Sequence, residues 1–106
     1  KSEHNDGVLT TLKEIALHQL EIERIENLHL CKELEILLLQ SNRIRKIENV
    51  GKLRRLKYLN LALNYITKIE NLEFCESLEK LDLTANYIID PAQVAVLIPN
   101  YNLKEL

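Results

Sequence analysis

The stretch that decides the fold is Leu34-Glu35-Ile36-Leu37-Leu38-Leu39-Gln40-Ser41-Asn42-Arg43-Ile44-Arg45-Lys46-Ile47-Glu48-Asn49-Val50. Twenty-two residues later the chain writes it again as Leu56-Lys57-Tyr58-Leu59-Asn60-Leu61-Ala62-Leu63-Asn64-Tyr65-Ile66-Thr67-Lys68-Ile69-Glu70-Asn71-Leu72. The leucines, the isoleucines, the lone asparagine and the Glu-Asn pair hold their places, while the residues between them change freely. Working outward, an earlier copy starts at Leu12 and a later one at Leu78, with Leu81, Leu83, Asn86 and Ile88 in step. The first, fourth, sixth, eleventh and fourteenth places of four copies make twenty slots, and nineteen are apolar, with Pro91 the exception. Random filling of a chain that is 46% hydrophobic would give about nine.

A fixed period of this length is the signature of a solenoid, here of the leucine-rich repeat type. The expected fold is α/β: right-handed coils stacking short strands into one parallel, concave sheet, with a mostly 3₁₀ or irregular convex side. Each x-L-x-L-x predicts a strand, at 36–40, 58–62 and 80–84. Strand side chains alternate between faces, so the leucines point into the solenoid and the residues between them point out. Ile22/Ile25, Ile44/Ile47 and Ile66/Ile69 return on the far side to fill the same core. Asn42, Asn64 and Asn86 form a column at the turn after the strand, where an amide that both donates and accepts can satisfy backbone that has no ladder partner. Glu26-Asn27, Glu48-Asn49 and Glu70-Asn71 read as the next corner.

One leucine-rich repeat domain over residues 1–106 is expected, with a capping segment at 1–11 and repeats starting at 12, 34, 56 and 78. In the first copy Leu20 replaces the column asparagine. The last copy is longer; Asp90 followed by Pro91 is an N-cap and first-turn proline, predicting a short convex helix there. Leu103-Lys104-Glu105-Leu106 reads as the opening of a further repeat, and the chain lacks an initial Met, so both ends are expected to be cut.

The net charge of −2 gives no basic excess for nucleic-acid phosphates. No apolar run approaches the roughly 20 residues of a membrane-spanning helix, and Lys1-Ser2-Glu3-His4-Asn5-Asp6 shows no secretory leader. Cys31 and Cys75 share one place two repeats apart. At roughly 4.8 Å per layer their α-carbons lie about 9.6 Å apart, too far for a disulfide, which predicts buried free thiols and agrees with an intracellular protein. His4, His18 and His29 have no metal-ligand spacing, and Gly7 and Gly51 make no phosphate loop, so neither an enzyme, a cofactor nor a metal is expected.

What remains is the outward face of the sheet. Its rows are Glu14, Ile36, Tyr58, Lys80; then Ala16, Leu38, Asn60, Asp82; then His18, Gln40, Ala62, Thr84. Ile36, Leu38 and Tyr58 give an apolar centre, with Gln40, Asn60, Lys80 and Asp82 around it, as in a protein contact. The loop edge adds Arg43, Tyr65 and Tyr87, residue types favoured as hot spots. The competing reading is a few apolar atoms left open by an unfinished solenoid. Lys52-Leu53-Arg54-Arg55-Leu56-Lys57 is a local basic cluster, read as a solvated convex corner ahead of a tubulin or phosphate site.

The I-x-x-I-E-N-L signature resembles the 22-residue repeats shared by a phosphatase-1 regulatory subunit, an axonemal dynein light chain and several ciliary proteins. Glu3-His4-Asn5-Asp6, Leu17-His18-Gln19, Glu21-Ile22-Glu23-Arg24-Ile25, Leu59-Asn60-Leu61-Ala62-Leu63-Asn64 and Asn102-Leu103-Lys104-Glu105-Leu106 narrow it: the chain resembles the N-terminal region of the tilB-homolog family. That resemblance implies a cytoplasmic factor, with possible cilium or flagellum association, that preassembles axonemal dynein arms. The implied partners are dynein arm subunits and chaperone or co-chaperone machinery. Family members carry further repeats, a cap and a C-terminal co-chaperone-like domain not found in this stretch. A phosphatase regulator and a structural axonemal subunit stand as the alternatives. The family supplies no ligand residues here, so the sheet-face candidates rest on geometry alone.

Overall fold

A computed structural model gives the architecture and describes residues 10–88. It holds four short strands, β1 (Glu14–Ala16), β2 (Ile36–Leu38), β3 (Tyr58–Asn60) and β4 (Lys80–Asp82), in one sheet of order β1-β2-β3-β4. All pairs are parallel, and every register pairs residues one repeat apart: Ile15 with Leu37, Leu37 with Leu59, Leu59 with Leu81. The period of the sequence is therefore the period of the stack.

The strands are three residues long rather than the expected five. Hydrogen bonds between coils nevertheless continue past them, with Leu39 N–H donating to the Asn60 carbonyl at 2.9 Å and Ser41 N–H to the Ala62 carbonyl at 2.9 Å. Extended pairing stops where the chain turns: Gln19, Ser41, Leu63 and Ala85 all have φ between 58° and 61°. A second left-handed position follows at Asn27, Asn49 and Asn71, with φ of 61° to 66°. These two recurring kinks, joined in the first coil by a third at Glu21 (φ 60°), close the path and let the isoleucines come back inward.

The core is a set of columns. Leu34, Leu56 and Leu78 stack, as do Leu37, Leu59 and Leu81, then Ile25, Ile47 and Ile69; all are buried. On the convex side every third residue enters the core, as in Val50, Leu53 and Leu56, because successive tight turns join them: Leu53 N–H to the Val50 carbonyl, Leu56 N–H to the Leu53 carbonyl. Leu28-Cys31-Leu34 and Leu72-Cys75-Leu78 repeat the device. Among the described residues this side is single turns and irregular chain, with no helix. The expected helix after Asp90, the capping segment over its first nine residues and the repeat opening at 103 lie outside the described residues.

The asparagine column does what its chemistry suggests. Asn42 Oδ1 accepts from the Leu20 and Ile22 amides, both at 2.9 Å, while its Nδ2 donates to the carbonyls of Leu17 (2.9 Å) and Leu39 (3.0 Å). Asn64 bonds Ile44 N–H and the Leu39 and Leu61 carbonyls, and Asn86 bonds Ile66 N–H and the Leu61 and Leu83 carbonyls. Each amide thus ties its own turn to the previous coil. Asn49 and Asn71 add a second tie, donating at 2.7 Å to the carbonyls of Ile25 and Ile47. Cys31 and Cys75 are buried thiols that form no disulfide; burial, helped by the Glu73 carboxylate, pushes the Cys75 thiol up to about 11, which keeps it protonated and unreactive.

Candidate protein-binding face

The outward side chains of the sheet form the rows that the repeat lays down. Register sets Glu14, Ile36, Tyr58 and Lys80 side by side, and Ala16, Leu38, Asn60 and Asp82 in the next row. Ile36, Leu38 and Tyr58 are half-buried, not fully exposed, because neighbouring coils shield them on both sides. The polar members are held in place. Asn60 Nδ2 donates to the Tyr58 hydroxyl at 3.0 Å, its Oδ1 accepts from Ala62 N–H at 3.0 Å, and Lys80 Nζ sits 4.8 Å from the centre of the Tyr58 ring. This cation–π contact and the Asn60 bond fix the ring against the sheet. Asp82 Oδ1 accepts from Thr84 N–H at 3.0 Å. Hydrogen bonds from the Thr84 side chain and backbone, aided by Lys80, hold the Asp82 carboxyl below its ordinary range.

One atom on this face is unpaired: Gln40 Oε1 is buried without a hydrogen-bond donor. A buried acceptor left so costs about 1–3 kcal/mol, and it belongs to the residue two places past Leu38, beyond the end of β2.

The candidate residues split into two groups. Ile36, Leu38, Gln40, Tyr58, Asn60, Lys80 and Asp82 share the sheet face. Arg43, Tyr65 and Tyr87 stand beyond the turn that follows it. Tyr65 and Tyr87 stack there with ring centres 5.9 Å apart and planes 17° from parallel, and Arg43 reaches Glu21 at 3.6 Å. Sequence reasoning missed Leu63, which is 57% exposed next to this pair. It also missed Arg24, Arg45 and Lys46, which share a groove with Arg43 and Tyr65. The signal was available, since Arg24, Lys46 and Lys68 recur at the repeat spacing.

The basic cluster at 52–57 is largely neutralised. Arg55 pairs with Glu33 at 3.0 Å, Arg54 with Glu76 at 3.7 Å and Lys57 with Glu35 at 4.0 Å, each partner one repeat away. This is the solvated corner expected. Among the described residues no three His, Cys, Asp or Glu side chains converge as a metal site would require.

The leucine rich repeat family model matches residues 32–88, more than half of the chain. The chain belongs to the leucine-rich repeat family. Within that family it is similar to protein tilB of Drosophila melanogaster, 58% identical over 43 residues, covering 40% of this chain and 11% of that protein. It is equally similar to dynein axonemal assembly factor 11 of Trypanosoma brucei brucei, 58% over 43 residues with the same coverage. The human dynein axonemal assembly factor 11 gives 58% over 42 residues, 39% of this chain and 9% of that protein. The match thus spans about a tenth of the length of these relatives. Among solved structures, internalin C2 of Listeria monocytogenes superposes with a TM-score of 0.81 at 26% identity, covering 92% of this chain and 42% of that one. Another leucine-rich repeat protein of that organism, internalin F, gives 0.67 at 18% identity, over 95% of this chain and 36% of its own. The fold is therefore common to proteins of very different names.

Proposed function

We propose that this leucine-rich repeat domain is a non-catalytic scaffold that captures a protein partner on its sheet face during preassembly of axonemal dynein arms. The setting is the cytoplasm of cells that build motile cilia or flagella. The observation that carries the binding site is the Ile36–Leu38–Tyr58 centre, which the parallel register sets beside Asn60, Lys80 and Asp82. A partner that covers this centre removes its apolar atoms from water, while the polar side chains around it supply the rim of the contact. Tyr58, held by Asn60 and Lys80, meets that partner already ordered, which lowers the entropy lost on association. The likeness to tilB and to dynein axonemal assembly factor 11 supports dynein arm subunits as the partner class, with chaperone or co-chaperone machinery acting alongside. The leucine-rich repeat family and its fold are those of scaffolds, which supports binding over catalysis.

The test is affinity capture of the full chain from ciliated or flagellated cells, with soluble cytosol and detergent-resistant axonemes kept apart. Dynein chains recovered from cytosol by the wild type, and at least about tenfold less by Leu38→Asp/Tyr58→Ala at unchanged circular dichroism, are the expected result. Retention with axonemes, or a phosphatase catalytic subunit as the main capture, would overturn the dynein assembly role. Equal capture by the double variant would move the site off the sheet.

A further inference from the structure

A second surface lies away from the sheet, past the left-handed turn that ends each strand. There a groove of about 560 Å³ runs across three coils, with Arg24 from the first, Arg43, Arg45 and Lys46 from the second, and Tyr65 from the third. Its charge opposes that of the molecule. Four cations face two carboxylates, Glu23 and Glu48, in the groove, whereas the whole chain carries a net −2. Internal pairing uses only half of the cations. Arg24 reaches Glu48 at 3.4 Å and Arg43 reaches Glu21 at 3.6 Å, but Arg45 and Lys46 have no ion-pair partner among the described residues. Tyr65, 46% exposed, adds an apolar wall beside them.

We infer that this groove is a docking site for an acidic polypeptide segment, distinct from the sheet face and independent of the dynein reading. The chemistry selects that occupant over other anions. Glu23 and Glu48 stand among the cations and would repel the closely spaced phosphates of a nucleic acid, which bind through an uninterrupted basic track. Carboxylates on a peptide can be set at intervals, placing two of them opposite Arg45 and Lys46 while leaving gaps over Glu23 and Glu48. The guanidinium of Arg45 can take a carboxylate in bidentate fashion, and Tyr65 can receive an apolar side chain between acidic ones. A membrane presents its anionic headgroups as a continuous layer, which would also fall on Glu23 and Glu48. Coils stack at roughly 4.8 Å, so three of them span a short peptide of about three to four extended residues.

The experiment is fluorescence anisotropy on the full chain, with a labelled octapeptide of alternating glutamate and leucine as the probe. A lysine octapeptide, a single-stranded RNA octamer and anionic lipid vesicles serve as comparators. Saturable binding of the acidic peptide is expected, weakening about tenfold or more between low and several-hundred-millimolar salt. Arg45→Glu/Lys46→Glu should weaken it by a further tenfold or more with unchanged circular dichroism, and Arg45→Gln/Lys46→Gln by less. Leu38→Asp/Tyr58→Ala should leave it unaltered, which separates this site from the sheet face. Absence of saturable peptide binding, indifference to both substitutions at 45 and 46, or RNA or vesicle binding as tight through the same two residues would overturn the inference.

Discussion

Two columns of residues in this solenoid share a backbone conformation and nothing else. Gln19, Ser41, Leu63 and Ala85 turn the chain at the end of each strand; Asn27, Asn49 and Asn71 turn it again eight residues later, all at φ near 60°. Left-handed backbone disfavours residues with a Cβ and is most easily adopted by glycine and asparagine. The first column nevertheless accepts glutamine, serine, leucine and alanine, while the second is asparagine each time. The difference lies in what the side chains do. Asn49 and Asn71 bridge to carbonyls of the previous coil, whereas Leu63 is 57% exposed. Conformation alone leaves a position free; a task between coils fixes it.

The largest expected effect comes from removing both conformation and task. Asn71→Ala keeps neither the αL preference nor the bond to the Ile47 carbonyl, and should destabilise by about 2–3 kcal/mol in chemical denaturation. Asn71→Gly restores the backbone freedom and loses only the bond, so about 1–2 kcal/mol is expected. If the two variants were equal, the bond would account for the whole column and the backbone for none of it. In the other column Leu63→Asn should stabilise by about 0.5–1 kcal/mol, raising the melting temperature by a few degrees, because it relieves αL strain at an exposed site. A loss of stability there would show that Leu63 has a task of its own.

The smallest effect concerns a side chain whose task is local. Asp82 has its folded pKa depressed by Thr84, so its contribution is present above the unfolded pKa near 4 and is lost as pH falls through the lower folded value. Thr84→Val removes the first cause and keeps the backbone donor. The Asp82 titration followed by NMR should then move up toward, yet stay below, the ordinary aspartate value. Stability at neutral pH should change only slightly at so exposed a site.

How much of this was legible depends on which half of each coil is considered. The inward half was read in full: Leu37, Leu59 and Leu81 fall in register, Asn42, Asn64 and Asn86 bond as a column, and Cys31 and Cys75 are buried thiols without a disulfide. Identical residues at a fixed period admit a single stacking, so spacing was enough. The left-handed turn after the strand was invisible, because neither glycine nor asparagine marks Leu63 or Ala85. Membership of the sheet-face rows was legible, but the unpaired Gln40 oxygen depends on how tightly its neighbours cover it, and no pattern encodes that. The groove was missed for a different reason. Arg24, Lys46 and Lys68 recur in step, yet the eye follows apolar periodicity and treats charges as solvent. The same step also matches Glu33 to Arg55, Glu35 to Lys57 and Arg54 to Glu76, so the neutral corner could have been read from sequence.

The ties made by the asparagines all run backward. Asn42 serves Leu17, Leu20 and Ile22, and Asn49 serves Ile25, so the groups that fasten a coil are encoded 20 to 25 residues after it. A chain emerging from the ribosome therefore cannot finish a coil until most of the next has been translated. The nascent solenoid advances with one unfastened turn at its growing end, and each new repeat locks its predecessor before being locked itself. Stalled synthesis would always strand the last coil, whatever its sequence, and leave those behind it set.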